Sequence, residues 1–122
     1  STKAYETFAQ KCEITRVGFK KRLIKAKEDG LRVLGYGATS KSTTILNYCD
    51  VGPDLIDFIT DTTPTKIGKY TPGMHIPVKS YDHFEPHPDL AVLFAWNHKK
   101  EILLKESSYN GEWMTHLYKE YE

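Results

Sequence analysis

The residues in this chain best suited to chemistry cluster at one glycine turn. Gly35-x-Gly37-x-x-Ser40 has the first two glycines of a dinucleotide-binding fingerprint, with Ser40 where the third glycine usually stands. Glycine permits a tight turn and lets backbone N–H groups approach a phosphate closely. A helix starting directly after the turn would aim its positive end at the same point. There it would meet Ala38, the hydroxyls of Thr39, Ser40, Ser42 and Thr43, and the charge of Lys41. Anion binding is the chemistry these residues suit, and a Ser or Thr that only caps the helix is the competing reading of them. The spacing G-x-x-x-x-G-K-[ST] is absent, which argues against a P-loop nucleotide hydrolase.

Three further groups belong with the turn. Asp61 follows Gly37 at roughly the 20-residue separation at which an acidic side chain accepts hydrogen bonds from ribose hydroxyls. An Asx turn toward Pro64 would use the same carboxylate. Lys66, Lys69, Tyr70 and Thr71 lead into Pro72-Gly73, where basic groups and hydroxyls could close over a diphosphate. Trp96-Asn97-His98 offers an aromatic plane, an amide and an imidazole, either for stacking on a base or sugar or for packing. His98 has no identifiable Ser, Cys or carboxylate partner and the other histidines are scattered, so no catalytic residue is assigned. Cys12 and Cys49 form no C-x-x-C and have no His at ligand spacing, so no metal site or disulfide is expected and both read as buried free thiols.

The elements that must position these groups follow from apolar spacing. A helix is predicted over residues 3–29, stopped by Gly30, with Lys20, Lys21, Arg22, Lys25 and Lys27 read as a solvated basic face. Leu31–Leu34 reads as a strand, then come the glycine turn, a helix over 41–50, and a strand over 55–60 closed by Asp61–Pro64. Residues 66–73 read as an ordered surface loop. His75–Val78 can be only a short strand at a sheet edge, because Pro77 cannot donate to a ladder. Leu90–Ala95 is continuously apolar, as in a central strand buried on both faces. A helix over 99–107, a turn at Asn110-Gly111 and a last strand over 112–118 complete the chain.

Strands alternating with helices predict one three-layer α/β/α Rossmann-like domain over residues 1–122, with a mostly parallel sheet, a leading helix (1–30) and a core (31–122). Such sheets bind ligands beyond their carboxyl ends, which groups Gly35–Ser42, Asp61–Pro64 and Trp96–His98 on one rim. With 39% hydrophobic and 27% charged residues the chain is expected to fold and to be soluble, and no run approaches the roughly 20 apolar residues of a membrane span. A net charge of +1 supplies no general drive toward nucleic acid or a membrane, so neither is an expected partner. The chain starts without Met and without a secretory leader, so the expectation is a cytoplasmic piece of a longer protein.

Taken in order, the motifs Gly35-Tyr36-Gly37-Ala38-Thr39-Ser40-Lys41, Asn47-Tyr48-Cys49, Asp61-x-x-Pro64-x-Lys66-x-Gly68-Lys69-Tyr70-x-Pro72-Gly73-x-x-Ile76-Pro77 and Trp96-Asn97 resemble the C-terminal domain of C-methyltransferases acting on nucleotide-linked deoxysugars. The resemblance covers about residues 5–118, and Ser42 stands where members usually have Gly. It implies a parent enzyme with upstream zinc-binding and S-adenosylmethionine-binding regions that carry the catalytic groups. This domain would then position the nucleotide-linked sugar against the upstream methyltransferase domain through Gly35, Gly37, Ala38, Thr39, Ser40, Lys41, Asp61, Lys69, Tyr70, Trp96 and Asn97, with no cofactor of its own. Alternatives are a free-standing nucleotide or coenzyme A binding module, a nicotinamide-dependent oxidoreductase, and a domain that only buttresses its neighbour.

Overall fold

The computed structural model of the chain describes residues 2–117. Five strands, β1 (Val33–Tyr36), β2 (Ile59–Asp61), β3 (Val78–Ser80), β4 (Leu90–Leu93) and β5 (Glu112–Met114), form one sheet in the order β3-β2-β1-β4-β5. Every pairing is parallel, so the sheet predicted to be mostly parallel is parallel throughout. Helix α1 (Thr2–Glu28) precedes β1, α2 (Ser40–Cys49) links β1 to β2 and α3 (Lys99–Lys105) links β4 to β5, with 3-10 turns at Tyr81–Phe84 and Trp96–His98. Strand order reverses between β1 and β4, the switch point of a Rossmann-like α/β fold. No helix is long and apolar enough to cross a membrane among the described residues.

Two faces of the sheet are covered differently. Phe19, Leu23 and Ala26 of α1 and Leu46 and Cys49 of α2 pack with Val33, Ile59, Val92 and Phe94 into the larger core. On the opposite face Leu34, Phe58, Phe84, Ala91 and Tyr109 are buried, with Tyr36, Tyr81 and Trp113 packed against them. The layer on that side is thin, because α3 buries none of its side chains and aromatic rings take the place of a long helix.

β4 is buried at all four positions, as its apolar run requires, and β3 lies at the edge directly after Pro77. Pro77 lacks an N–H but its carbonyl accepts the Ile59 N–H at 2.9 Å, so an edge position loses nothing by it. The apolar run at 55–60 is mostly not strand. Leu55 and Ile56 fill the core from a turn in which both donate to the Gly52 carbonyl, and β2 begins only at Ile59.

Three further expectations need correction. The basic half of α1 is not simply solvated, since Lys20, Lys25 and Lys27 pair with Asp50, Asp29 and Asp57 at 2.8, 2.9 and 3.1 Å. Cys49 is buried, and loss of hydration pushes its thiol up to about 11, but Cys12 is only partly buried because α1 has left the sheet by that point. The last predicted strand ends at Met114, and Tyr118 lies outside the described residues.

Candidate functional site at the start of α2

Gly37 has φ +91, a left-handed conformation that favours glycine, and its N–H donates to the Thr60 carbonyl at 2.9 Å. Thr39 then caps α2. Its hydroxyl accepts the Ser42 N–H at 3.2 Å, while the Ser42 hydroxyl accepts the Thr39 N–H at 2.9 Å and donates to the Thr39 carbonyl at 2.7 Å. Ser42 is fully buried, so the hydroxyl expected to favour an anion serves helix initiation instead. The N–H groups of Ser40 and Lys41 precede the first internal helix bond and have no acceptor among the described residues. Both belong to the positive end of α2, where an anion is favoured.

Two ionic groups brace the turn. Asp61, at the end of β2, accepts the Ala38 N–H on one oxygen and the Thr63 N–H on the other, both at 2.7 Å. The Asx turn is thus formed, and the same carboxylate ties the glycine turn to β2. Burial pushes the Asp61 carboxyl up, but the N–H bonds from Thr63 and Ala38 and the charge of Lys66 outweigh it and hold it below the usual range. Lys66 in turn donates to the Ala38 carbonyl at 2.7 Å.

The loop before β3 folds into a small antiparallel hairpin, in which Gly68 donates to Val78 (2.9 Å), Val78 to Lys69 (2.8 Å) and Thr71 to Ile76 (2.9 Å). Its tip, Pro72-Gly73, rests on α2, where the Asn47 side-chain amide donates to the Pro72 carbonyl at 3.2 Å. Gly73 has φ +84, and a Cβ on it would overlap the Asn47 amide. The motif residues Asn47 and Pro72-Gly73, distant in sequence, therefore form one joint. Between the hairpin and α2 lies a cavity of about 300 Å³, lined among others by Ala38, Thr39, Ser40, Thr43, Lys69 and Tyr70.

The remaining predicted residues lie elsewhere. Trp96 stands after β4, 38% exposed, with Lys41 Nζ 5.8 Å from its ring centroid, and Asn97 beside it is exposed. Trp96 is therefore a rim residue and does not plug the core, but neither it nor Asn97 lines the cavity. Gly35 lies inside β1 and leaves room for Ile59 and Phe94, so its role is packing. Among the described residues no three His, Cys, Asp or Glu side chains converge as a zinc site would require.

One polar cluster had no sequence signal. Glu106 is 5% exposed and accepts from Tyr36 at 2.5 Å and from Tyr81 at 2.6 Å, clasping the end of β1 and the Tyr81–Phe84 turn to the end of α3. Tyr36 and Glu106 are 70 positions apart, and although Tyr36 falls in the glycine-turn motif, nothing in the sequence pairs it with Glu106.

Burial, then the bonded and charged Glu106, push the Tyr36 hydroxyl above its ordinary range and the Tyr81 hydroxyl up to about 12. Burial, then the charges of Asp89 and Glu112, push Tyr109 up to about 12 as well. The unfolded chain gives up these protons first, near the ordinary value of 10.0, while the folded chain keeps them. Stability is therefore expected to be whole below pH 10 and to fall as pH rises from about 10 to about 12. Thermal unfolding across that range checks this, and Tyr36→Phe with Tyr81→Phe should flatten the fall.

Residues 1–117 match the family described as C-methyltransferase C-terminal domain. C-methyltransferase NovU of Streptomyces niveus is 37% identical over 106 residues, a stretch that is 86% of this chain and 25% of that protein. The chain thus spans about a quarter of the length of the curated relative it matches.

Proposed function

The chain belongs to the C-methyltransferase C-terminal domain family, and from that premise we propose that it positions a nucleotide-linked sugar for a methyltransferase domain of the same longer protein. The carrying observation is the cavity at the start of α2. It combines the Ser40 N–H, which has no acceptor among the described residues, the Ser40 and Thr43 hydroxyls, the Lys69 ammonium and the exposed Tyr70 ring. The diphosphate meets the helix N-terminus and Lys69, and Tyr70 flanks the nucleoside or sugar. Lys41 and Trp96 form a second contact nearer the switch point, suited to the far end of the same ligand. In this reading S-adenosylmethionine and zinc belong to other domains of a cytoplasmic enzyme, and this domain binds without methylating.

Calorimetric titration with a nucleoside diphosphate, a nucleotide sugar, coenzyme A and NAD tests the proposal. Saturable binding of the nucleotide sugar is expected. In Gly73→Ala, which moves the hairpin off Asn47, it should weaken about tenfold, equivalent to roughly 1.4 kcal/mol. Preference for coenzyme A or NAD would replace the proposal with a free-standing binding module or an oxidoreductase. Methyl transfer by the domain alone would refute its non-catalytic role.

A further inference from the structure

Along α1, Tyr5, Phe8, Cys12, Thr15, Phe19, Leu23 and Ala26 recur every three or four residues and fall within about 80° of one another at 3.6 residues per turn. Burial along this single stripe is graded. Phe19, Leu23 and Ala26 are in the core, Thr15 and Cys12 are partly covered, and Phe8 and Tyr5 are 65% and 72% exposed. The face that packs on the sheet therefore continues past it with no occupant in the described residues.

The direction of the overhang is set by the contacts of the helix. Lys25 and Asp29 share a groove with Leu90 and Glu112, the first residues of β4 and β5. Arg22 reaches the other end, donating to the carbonyls of Thr115 and Leu117 beyond β5 at 3.2 and 3.3 Å. The helix thus runs back along the sheet, and Thr2–Ile14, about 20 Å at 1.5 Å per residue, projects past the carboxyl ends of the strands. The start of α2 and Trp96 lie on that side.

We propose that the Tyr5-Phe8-Cys12 stripe is the docking arm for the apolar face of the preceding methyltransferase domain in the same chain, seated over the rim that carries the cavity. This rests on the functional reading above. Two observations select a tethered occupant. The first is size: the two rings offer roughly 300 Å² to a partner, and about twice that counting both sides is well short of the ~1,200 Å² a free interface needs. A domain joined through the same chain acts at an effective concentration near the millimolar range and needs far less area. The second is length, since three quarters of the curated relative lies outside the stretch this chain matches.

Amide exchange in the full-length chain carrying these residues tests the inference. Protection of residues 5–14 that is independent of protein concentration is expected, with exchange on the order of a hundredfold faster in Phe8→Ser and in a chain cut before Thr2. Fast exchange in a full-length chain that still methylates a nucleotide sugar would overturn the docking arm and leave the functional reading intact. Protection without such methylation would do the reverse. Protection that grows with concentration would identify a second copy as occupant and overturn the inference, and a translated chain no longer than this one would overturn both.

Discussion

Glu106→Leu is expected to destabilise the domain by about 2–4 kcal/mol, because it strands two tyrosine hydroxyls that now end on one buried carboxylate. Neither hydroxyl has another protein acceptor among the described residues, and the rings that carry them are packed against Phe84 and Trp113. The cost should be largely recovered by adding Tyr36→Phe and Tyr81→Phe, since removing donors and acceptor together leaves no orphan group behind. Urea unfolding of the wild type, the single variant and the triple variant measures both changes. A triple variant as unstable as the single one would show that the carboxylate matters for shape alone. The clasp joins the end of β1 to the segment that follows Trp96, so this loss is expected to loosen the Lys41–Trp96 contact as well.

Gly35→Val carries the other large expectation, a loss of about 3 kcal/mol. A Cβ at this position would lie 2.8 Å from Ile59 Cγ1 and 3.3 Å from Phe94, both fully buried, and valine adds two methyl groups to that overlap. β1 sits between β2 and β4, so it cannot move aside without breaking ladders on both edges. Gly35→Ala should lose less, and in a cycle with Ile59→Ala the two substitutions should be less harmful together than their sum by about 1 kcal/mol, because the second removes the atom the first strikes. Thermal unfolding of the four proteins measures the coupling. Full additivity would show that Gly35 is required for some reason other than space.

The packing at Gly35 divides the glycine fingerprint. Gly37 stands in the left-handed region at the mouth of the turn, as the pattern predicts, whereas the spacing that made Gly35 look like a ligand residue records a packing need. The hydroxyl cluster divides in the same way: Thr39 and Ser42 are spent on the cap, and Ser40 and Thr43 remain toward the cavity.

Local chemistry along the chain determined the β-α-β start, the buried central strand, the edge position after Pro77 and the glycine turn entering α2. Periodicity, glycine conformation and proline's missing donor act over a few residues and are visible in order of sequence. The family motifs were legible for the same reason. Only the tertiary structure decided how these pieces are used, because the deciding contacts join residues 23 to 70 positions apart. Asp61 became a brace once its two N–H donors were in place, Asn47 and Gly73 became one joint, and Lys41 and Trp96 were set apart from the cavity. The stripe on α1 was present in the sequence as a helical period. That its first half is left uncovered depends on where a sheet of three- and four-residue strands ends beneath a helix of 27 residues, a comparison of lengths that exists only after both are folded.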